Sequence, residues 1–349
     1  MTSQSFYRDT LRKLQNRTDL GSDEAERLLR AILEQQLTEV QIAVLLVALA
    51  AKGESCSEIV GFARGMRQFA VRLSHRQNGL VDTAGTGGDA SGTFNISTCA
   101  AFVIAGAGVP VAKHGNRAMS GRCGSADVLA HLGVNIDAPK PVLEDCLERC
   151  GITFLFAAAF HPAMKALAKL RRELGIRTVF NLLGPMLNPA GTRRQIVGVF
   201  SPQLTEVLAE TLLQLGCDHA LVFSDDDGLD EISVSTRTKF TEVRDGALRT
   251  HFITPEDLGV VRSPREAVLG GDVEQNARML RAVLENTSNE ARRDVVLMNA
   301  AAGIYVSGRA QSLREGMDLA RKSLSSGQAL DKLEMLVRLS NQSTMASGQ

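Results

Sequence analysis

The chain has 349 residues, 44% of them apolar and 22% charged, and its 39 basic residues cancel its 39 acidic ones. That length accommodates two domains and a core that needs no covalent staples, and the zero net charge excludes the basic excess that a nucleic-acid binder normally carries. The opening MTSQSFYRDTLRKLQ has no apolar signal region, and the longest apolar run, Ile42 to Ala51, is ten residues against the roughly 20 that a membrane span requires. A cytoplasmic protein without membrane or nucleic-acid contact is expected.

Residues 1–75 read as helices alone, a small helical domain. Ser22 is expected as the N-cap ahead of Asp23 and Glu24, with Ala25, Leu28, Leu29, Ile32 and Leu33 at helical spacing. Thr38 to Gln41 and Ser55 to Glu58 have the form of capping boxes, and Gly53 stands where a C-cap belongs. Ile42, Leu45, Leu46 and Leu49 exceed what so small a bundle encloses, so part of that face is expected to bury against a partner.

From Gly79 the pattern changes to GLVDTA, VPVAKHG, ITFLFA, RQIVGVF and HALVFS, with helical stretches between several of them. Strands alternating with helices predict an α/β domain over residues 76–349 with a mostly parallel sheet. The substrate crevice of such a sheet lies outside the carboxyl ends of its strands, where GTGGD, KHGN and SDDDG begin. The six cysteines form no CxxC pair and are expected to be reduced; Cys146 and Cys150, four apart without a third ligand, read as core residues.

The stretch Gly85 to Thr98, GTGGDASGTFNIST, has the composition of a backbone cradle. A dinucleotide fingerprint fits its spacing only nominally, because that motif turns directly into a helix and here the helical pattern begins near Ile96 or Ser97. Glycine N–H groups with Asn95, Ser97 and Thr98 at a helix start suit a phosphate better. Lys113 to Arg117, Ser120 and Gly124 to Asp127 supply a second anion-suited loop, implying a ligand with more than one phosphate. Asp225, Asp226, Asp227, Asp230 and Glu231 add five carboxylates within seven residues. Beside phosphates these need a hard cation, for which Mg²⁺ is the economical choice.

Together GTGGD, NIST, KHGNRAMSG, GSAD, RRELGIRTVFNLLGPMLNP and GLDEIS resemble the anthranilate phosphoribosyltransferases of tryptophan biosynthesis, over nearly the whole chain. The resemblance implies a small N-terminal helical domain on a larger α/β domain of nucleoside phosphorylase/phosphoribosyltransferase type. It also implies homodimers formed through the helical domains and a helical segment near 170–190 that returns to the small domain. The implied reaction moves a phosphoribosyl group from 5-phosphoribosyl 1-diphosphate to the amino nitrogen of anthranilate, with two Mg²⁺ ions per subunit. By the same resemblance Gly85, Gly88, Asp89, Thr93, Asn95, Ile96, Ser97 and Thr98 surround the diphosphate substrate. Lys113, His114, Gly115, Asn116, Arg117, Ala118, Met119, Ser120, Gly121 and Ser125 complete that site. Ser97, Asp230 and Glu231 are the implied metal ligands, and Gly85, Asn116 and Arg171 the implied anthranilate contacts.

No catalytic base is required. His114 is either a polar contact to the incoming amine or a positioning residue. Many relatives have His-Gly where this chain has Ser224-Asp225, and Ala84 replaces a larger apolar residue; neither touches an assigned role. A pyrimidine nucleoside phosphorylase leaves Asp230-Glu231 unexplained, and an inactive nucleic-acid-binding relative fits poorly with intact motifs at zero net charge. In PAMKALAKLRRELG, read as one helix, Ala163, Leu167, Leu170 and Leu174 form an apolar stripe; Arg171 borders it and Arg172 lies opposite.

Overall fold

A computed structural model of the chain describes residues 3–87, 91–118 and 123–342. Four helices come first: α1 (Ser3–Gln15), α2 (Ser22–Leu33), α3 (Glu39–Lys52) and α4 (Cys56–Gln68). Both expected capping boxes form, Thr38 Oγ1 accepting from Gln41 N–H at 3.3 Å and Glu58 Oε2 from Ser55 N–H at 2.8 Å. Helix α2 starts one residue earlier than expected: Gly21 is its N-cap and Ser22 its first helical residue.

Five parallel strands stand where the β-branched runs lie: β1 (Val81–Gly85), β2 (Val111–Gly115), β3 (Ile152–Phe156), β4 (Arg194–Gly198) and β5 (His219–Asp225). Two antiparallel strands that the sequence reading missed, β6 (Thr238–Arg244) and β7 (Ala247–Ile253), extend the sheet to the order β3-β2-β1-β4-β5-β6-β7. Their signal was present: Asp245-Gly246 joins two alternating runs, and both residues have the positive φ (52° and 76°) that a tight hairpin turn requires.

The connections on the sheet are α5 (Ile96–Gly106), α6 (Ser125–His131), α7 (Lys140–Cys150), α8 (Ala157–Phe160), α9 (Ala168–Leu174), α10 (Val179–Leu182) and α11 (Leu204–Gln214). Helices α12 (Val273–Leu284), α13 (Glu290–Val306), α14 (Leu313–Ser325) and α15 (Gln328–Ser340) close the chain. Period-2 alternation sends neighbouring strand residues to opposite faces. Ile196 and Leu221 join a core with α5 and α13, whereas Val197 and Val222 join one that includes Leu208 of α11 and Leu28, Leu46 and Phe62 of the N-terminal helices. Segments α9 and α10 pack against α3. No helix among the described residues is long and apolar enough to cross a membrane.

Two expectations change. Ile42, Leu45, Leu46 and Leu49 are all buried within the chain itself, at 5% exposure or less, because α10 and the sheet-side core cover the face that four helices alone would leave open. The helix read through PAMKALAKLRRELG is split into a 3-10 segment, Pro162–Leu167, and α9, which ends at Gly175 in a left-handed cap with φ 60°. Leu167 and Leu170 remain buried across that break, while Arg172 is exposed and Arg171 half-buried.

Candidate active site

The carboxyl ends of adjacent strands β1 and β2 present the two anion-suited loops, and the acidic loop after β5 reaches the first of them across β4. Gly198 at the end of β4 permits that crossing, since a Cβ there would overlap the Asp230 carbonyl. An isolated glycine inside RQIVGVF was the available signal of such a close approach.

Four of the five carboxylates divide by role. Asp225 is fully buried and builds the turn, its Oδ1 accepting from Asp227 N–H at 2.9 Å and Leu229 N–H at 2.7 Å. Asp226 pairs with Arg237 on the surface at 3.1 Å. Asp230 and Glu231 turn inward: Asp230 Oδ2 accepts from Gly87 N–H at 3.1 Å, and Glu231 Oε1 from Ser97 N–H at 3.0 Å. Carboxylates thus rest on glycine-loop and helix-start N–H groups, where backbone dipoles favour negative charge. Gly87 has a φ of 63° with open space around its missing side chain. Gly87→Val is therefore expected to act through backbone strain, weakening affinity for a diphosphate ligand about ten-fold by calorimetry; unchanged affinity would reduce the loop to a plain turn.

Lys113 is 4% exposed and donates to the carbonyl and hydroxyl oxygens of Thr83 and, at 3.4 Å, to Ser97 Oγ. Burial pushes its pKa down, opposed by the nearby carboxylates of Asp82, Glu231 and Asp230. Asp82, a residue the sequence reading passed over, is fully buried; burial raises it to about 6, and its Oδ1 accepts from His114 N–H at 3.0 Å. His114 Nδ1–H donates to Gly184 O at 3.1 Å and His161 Nε2–H to Leu187 O at 3.1 Å, their rings meeting edge to face with centroids 5.2 Å apart. Burial lowers each imidazole to about 4, so both are neutral near pH 7.

A pH dependence of stability follows. An unfolded histidine takes up its proton near about 6.5, so the stability due to neutral His114 and His161 is present above that pH and lost as pH falls toward 4. Asp82 acts oppositely: its contribution is present below about 3.9 and lost as pH rises through 6. Between these limits two imidazoles outweigh one carboxyl. The unfolding free energy, and with it the urea midpoint, is expected to fall on acidification from neutral pH, the free energy by at most roughly 1.4 kcal/mol per pH unit. A midpoint that rises toward about pH 5 would contradict neutral buried imidazoles.

The remaining expected residues fall at the strand ends, at the start of α5, in the second loop and on α9. Gly85 closes β1, where a Cβ would stand 3.2 Å from Asp230 Oδ2, and Gly115 closes β2. Thr93 forms a bridge to Leu269, Asn95 is the N-cap of α5, and Ile96, Ser97 and Thr98 form its first turn. Asn116 O accepts from Ser125 Oγ at 3.3 Å, whereas the Arg117 guanidinium is committed to Asp127 at 2.8 Å and Ala118 N–H to the same carboxylate at 3.0 Å. Arg171 lies over the Phe180 ring, 5.6 Å from its centroid, and burial lowers its pKa. Gly88, Asp89, Met119, Ser120 and Gly121 lie outside the described residues.

Residues 8–70 match the glycosyl transferase family helical bundle domain and residues 77–330 the glycosyl transferase family a/b domain. Fold and site thus define a two-domain glycosyl transferase. The chain is 51% identical over 335 residues to anthranilate phosphoribosyltransferase of Rubrobacter xylanophilus, covering 96% of this chain and 98% of that one. Its fold matches anthranilate phosphoribosyltransferase from Thermus thermophilus with a TM-score of 0.90 at 43% identity, over 96% of this chain and 100% of the other. The Saccharomyces cerevisiae enzyme in complex with PRPP and Mg matches with a TM-score of 0.87 at 26% identity, over 96% and 98%. The chain belongs to the anthranilate phosphoribosyltransferase family.

Proposed function

We propose that this chain transfers the 5-phosphoribosyl group from 5-phosphoribosyl 1-diphosphate to the amino group of anthranilate, releasing diphosphate, in L-tryptophan biosynthesis. The observation that carries this reading is the seating of Asp230 and Glu231 on the N–H groups of Gly87 and Ser97. The yeast relative solved in complex with PRPP and Mg supports it. Residues 1–75 act as the helical unit and 76–349 as the α/β unit that binds the diphosphate substrate.

Asp230, Glu231 and Ser97 offer Mg²⁺ hard oxygen donors only, and no group of three or more His, Cys, Asp or Glu among the described residues forms a closed metal cage. That donor set fits Mg²⁺, which takes one or two carboxylates and completes its shell with substrate phosphates and water; the resemblance gives two such ions. Bound Mg²⁺ supplies positive charge beside the departing diphosphate.

The protein's own groups act around that charge. The glycine loop and the start of α5, with the Lys113 ammonium held against Ser97 Oγ, hold and neutralise the diphosphate as its bond to the ribose C1 loosens. An aromatic amine is a weak nucleophile, so stabilising the leaving group outweighs activating the attacker. Neutral His114 positions and requires no proton transfer. Arg171 takes the anthranilate carboxylate, with Gly85 and Asn116 beside it. Anthranilate fluorescence should be lost only when 5-phosphoribosyl 1-diphosphate and Mg²⁺ are both supplied. Phosphate-dependent nucleoside cleavage without that loss would mark a nucleoside phosphorylase instead.

The helical unit also forms the homodimer in this reading. Val40, Val44 and Val47 are 73%, 37% and 42% exposed and recur at i, i+4 and i+7, one apolar stripe on α3. Val44→Asp is expected to shift sedimentation to the monomer without lowering the thermal midpoint; a wild-type monomer at micromolar concentration would refute the dimer.

A further inference from the structure

We infer that Asn276 is a positioning residue for the diphosphate substrate: acting through Asn95, it ties the exit of the glycine loop to the exit of the loop that follows β2. The inference rests on the reading of those two loops as the diphosphate site.

Asn276 lies in the first turn of α12 and is 2% exposed. The chain before it forms a strap along the glycine loop. Thr93 bridges Leu269 in antiparallel sense, Phe94 N–H donates to Val268 O at 3.3 Å, and Gly270 N–H donates to Gly92 O at 2.8 Å. Gly270 permits this approach, since a Cβ there would stand 2.6 Å from Asn276 Oδ1 and 2.8 Å from Phe94 N.

The side-chain bonds run in one direction for a physical reason. Gly271 N–H can only donate, and it does so to Asn276 Oδ1 at 2.7 Å. That turns Asn276 Nδ2 toward Asn95, whose Oδ1 accepts at 3.2 Å. Asn95 Nδ2 is then left to donate to Cys123 O at 3.3 Å, while Cys123 Sγ–H returns to Asn95 Oδ1 at 3.4 Å. One backbone N–H therefore orients both amides.

The relay ends on two phosphate-suited elements. Asn95 is the N-cap of α5, whose first turn carries Ser97 and Thr98, and Cys123 immediately precedes Gly124, the N-cap of α6, which begins at Ser125. A ligand with more than one phosphate needs both loop exits in register, whereas the anthranilate contacts Gly85 and Asn116 stand where the two loops leave β1 and β2, ahead of the relay. Asn95 engages the relay through its side chain, so Asn276 sets where the α5 N-terminus stands relative to the second loop.

The test is a double-mutant cycle of Asn276→Ala and Asn95→Ala, reading 5-phosphoribosyl 1-diphosphate binding by calorimetry with Mg²⁺ and both substrate KM values. Each single variant is expected to weaken diphosphate-substrate binding about ten-fold while the anthranilate KM moves less than about two-fold. The double variant is expected to be no worse than Asn95→Ala, because both substitutions cut one relay. Multiplying effects, or equal rises in both KM values, would overturn the inference. Asn276→Asp serves if the alanine variant does not fold: it keeps the acceptor for Gly271 N–H but cannot donate to Asn95, and wild-type binding in it would equally overturn the inference. A wild-type chain that binds the diphosphate substrate yet consumes no anthranilate would refute the proposed reaction instead, leaving the binding cycle to judge the relay.

Discussion

Replacing Asp230 with Asn and Glu231 with Gln together should lower kcat/KM by about 10³-fold or more, the largest effect expected of any change in this chain. The amide replacements keep oxygen acceptors for the N–H groups of Gly87 and Ser97, so the acidic loop retains both tethers. Asp225, which builds the turn, is untouched, and Asp82 remains beside buried Lys113. The fold should therefore survive, with a thermal midpoint near that of wild type. Turnover should not, because the proposed Mg²⁺ site would lose both of its carboxylates. Changing Asp226 and Asp227 to Asn should cost little, since Asp226 serves a surface pair with Arg237. Normal activity in the Asp230/Glu231 variant would remove the metal assignment altogether.

Arg171→Ala should raise the anthranilate KM by about ten- to a hundred-fold, the worth of a charge-assisted hydrogen bond, and leave the KM of the diphosphate substrate nearly unchanged. The asymmetry follows from the ligands: anthranilate presents one carboxylate, whereas the diphosphate substrate carries several phosphate groups over which its binding is spread. Arg171 is half-buried against the Phe180 ring, so its guanidinium is partly desolvated before any ligand arrives. Arg172 is exposed one position further round α9, and Arg172→Ala should alter neither KM. Some loss of stability from the ring contact is expected in Arg171→Ala; a thermal midpoint separates that loss from the kinetic one. If Arg172→Ala carries the anthranilate defect and Arg171→Ala does not, the carboxylate contact belongs to Arg172.

The capping boxes at Thr38 and Ser55 and the five parallel strands were legible because each rests on residues within a few positions of one another. Gly85 and Gly115 likewise stood at readable strand ends. The hairpin β6-β7 was legible through Asp245-Gly246 yet passed over. Less local features were not. Whether PAMKALAKLRRELG forms one helix or a 3-10 segment followed by α9 depends on packing against α3, and the enclosure of Leu45 and Leu49 depends on segments more than a hundred residues away.

By itself, then, the sequence determined most of the order of strands and helices, the loops whose composition suits phosphate and the residue types gathered in them, since propensity, capping and side-chain period act over one or two turns of chain. Only the tertiary structure decided which of five neighbouring carboxylates face inward, how Asp82, Lys113, His114 and His161 come to be buried together, and that Asn276 meets Asn95 across 181 positions. Those outcomes depend on the crossing of the acidic loop over Gly198 and the seating of the strap at Gly270, close backbone approaches between distant segments that no local periodicity encodes.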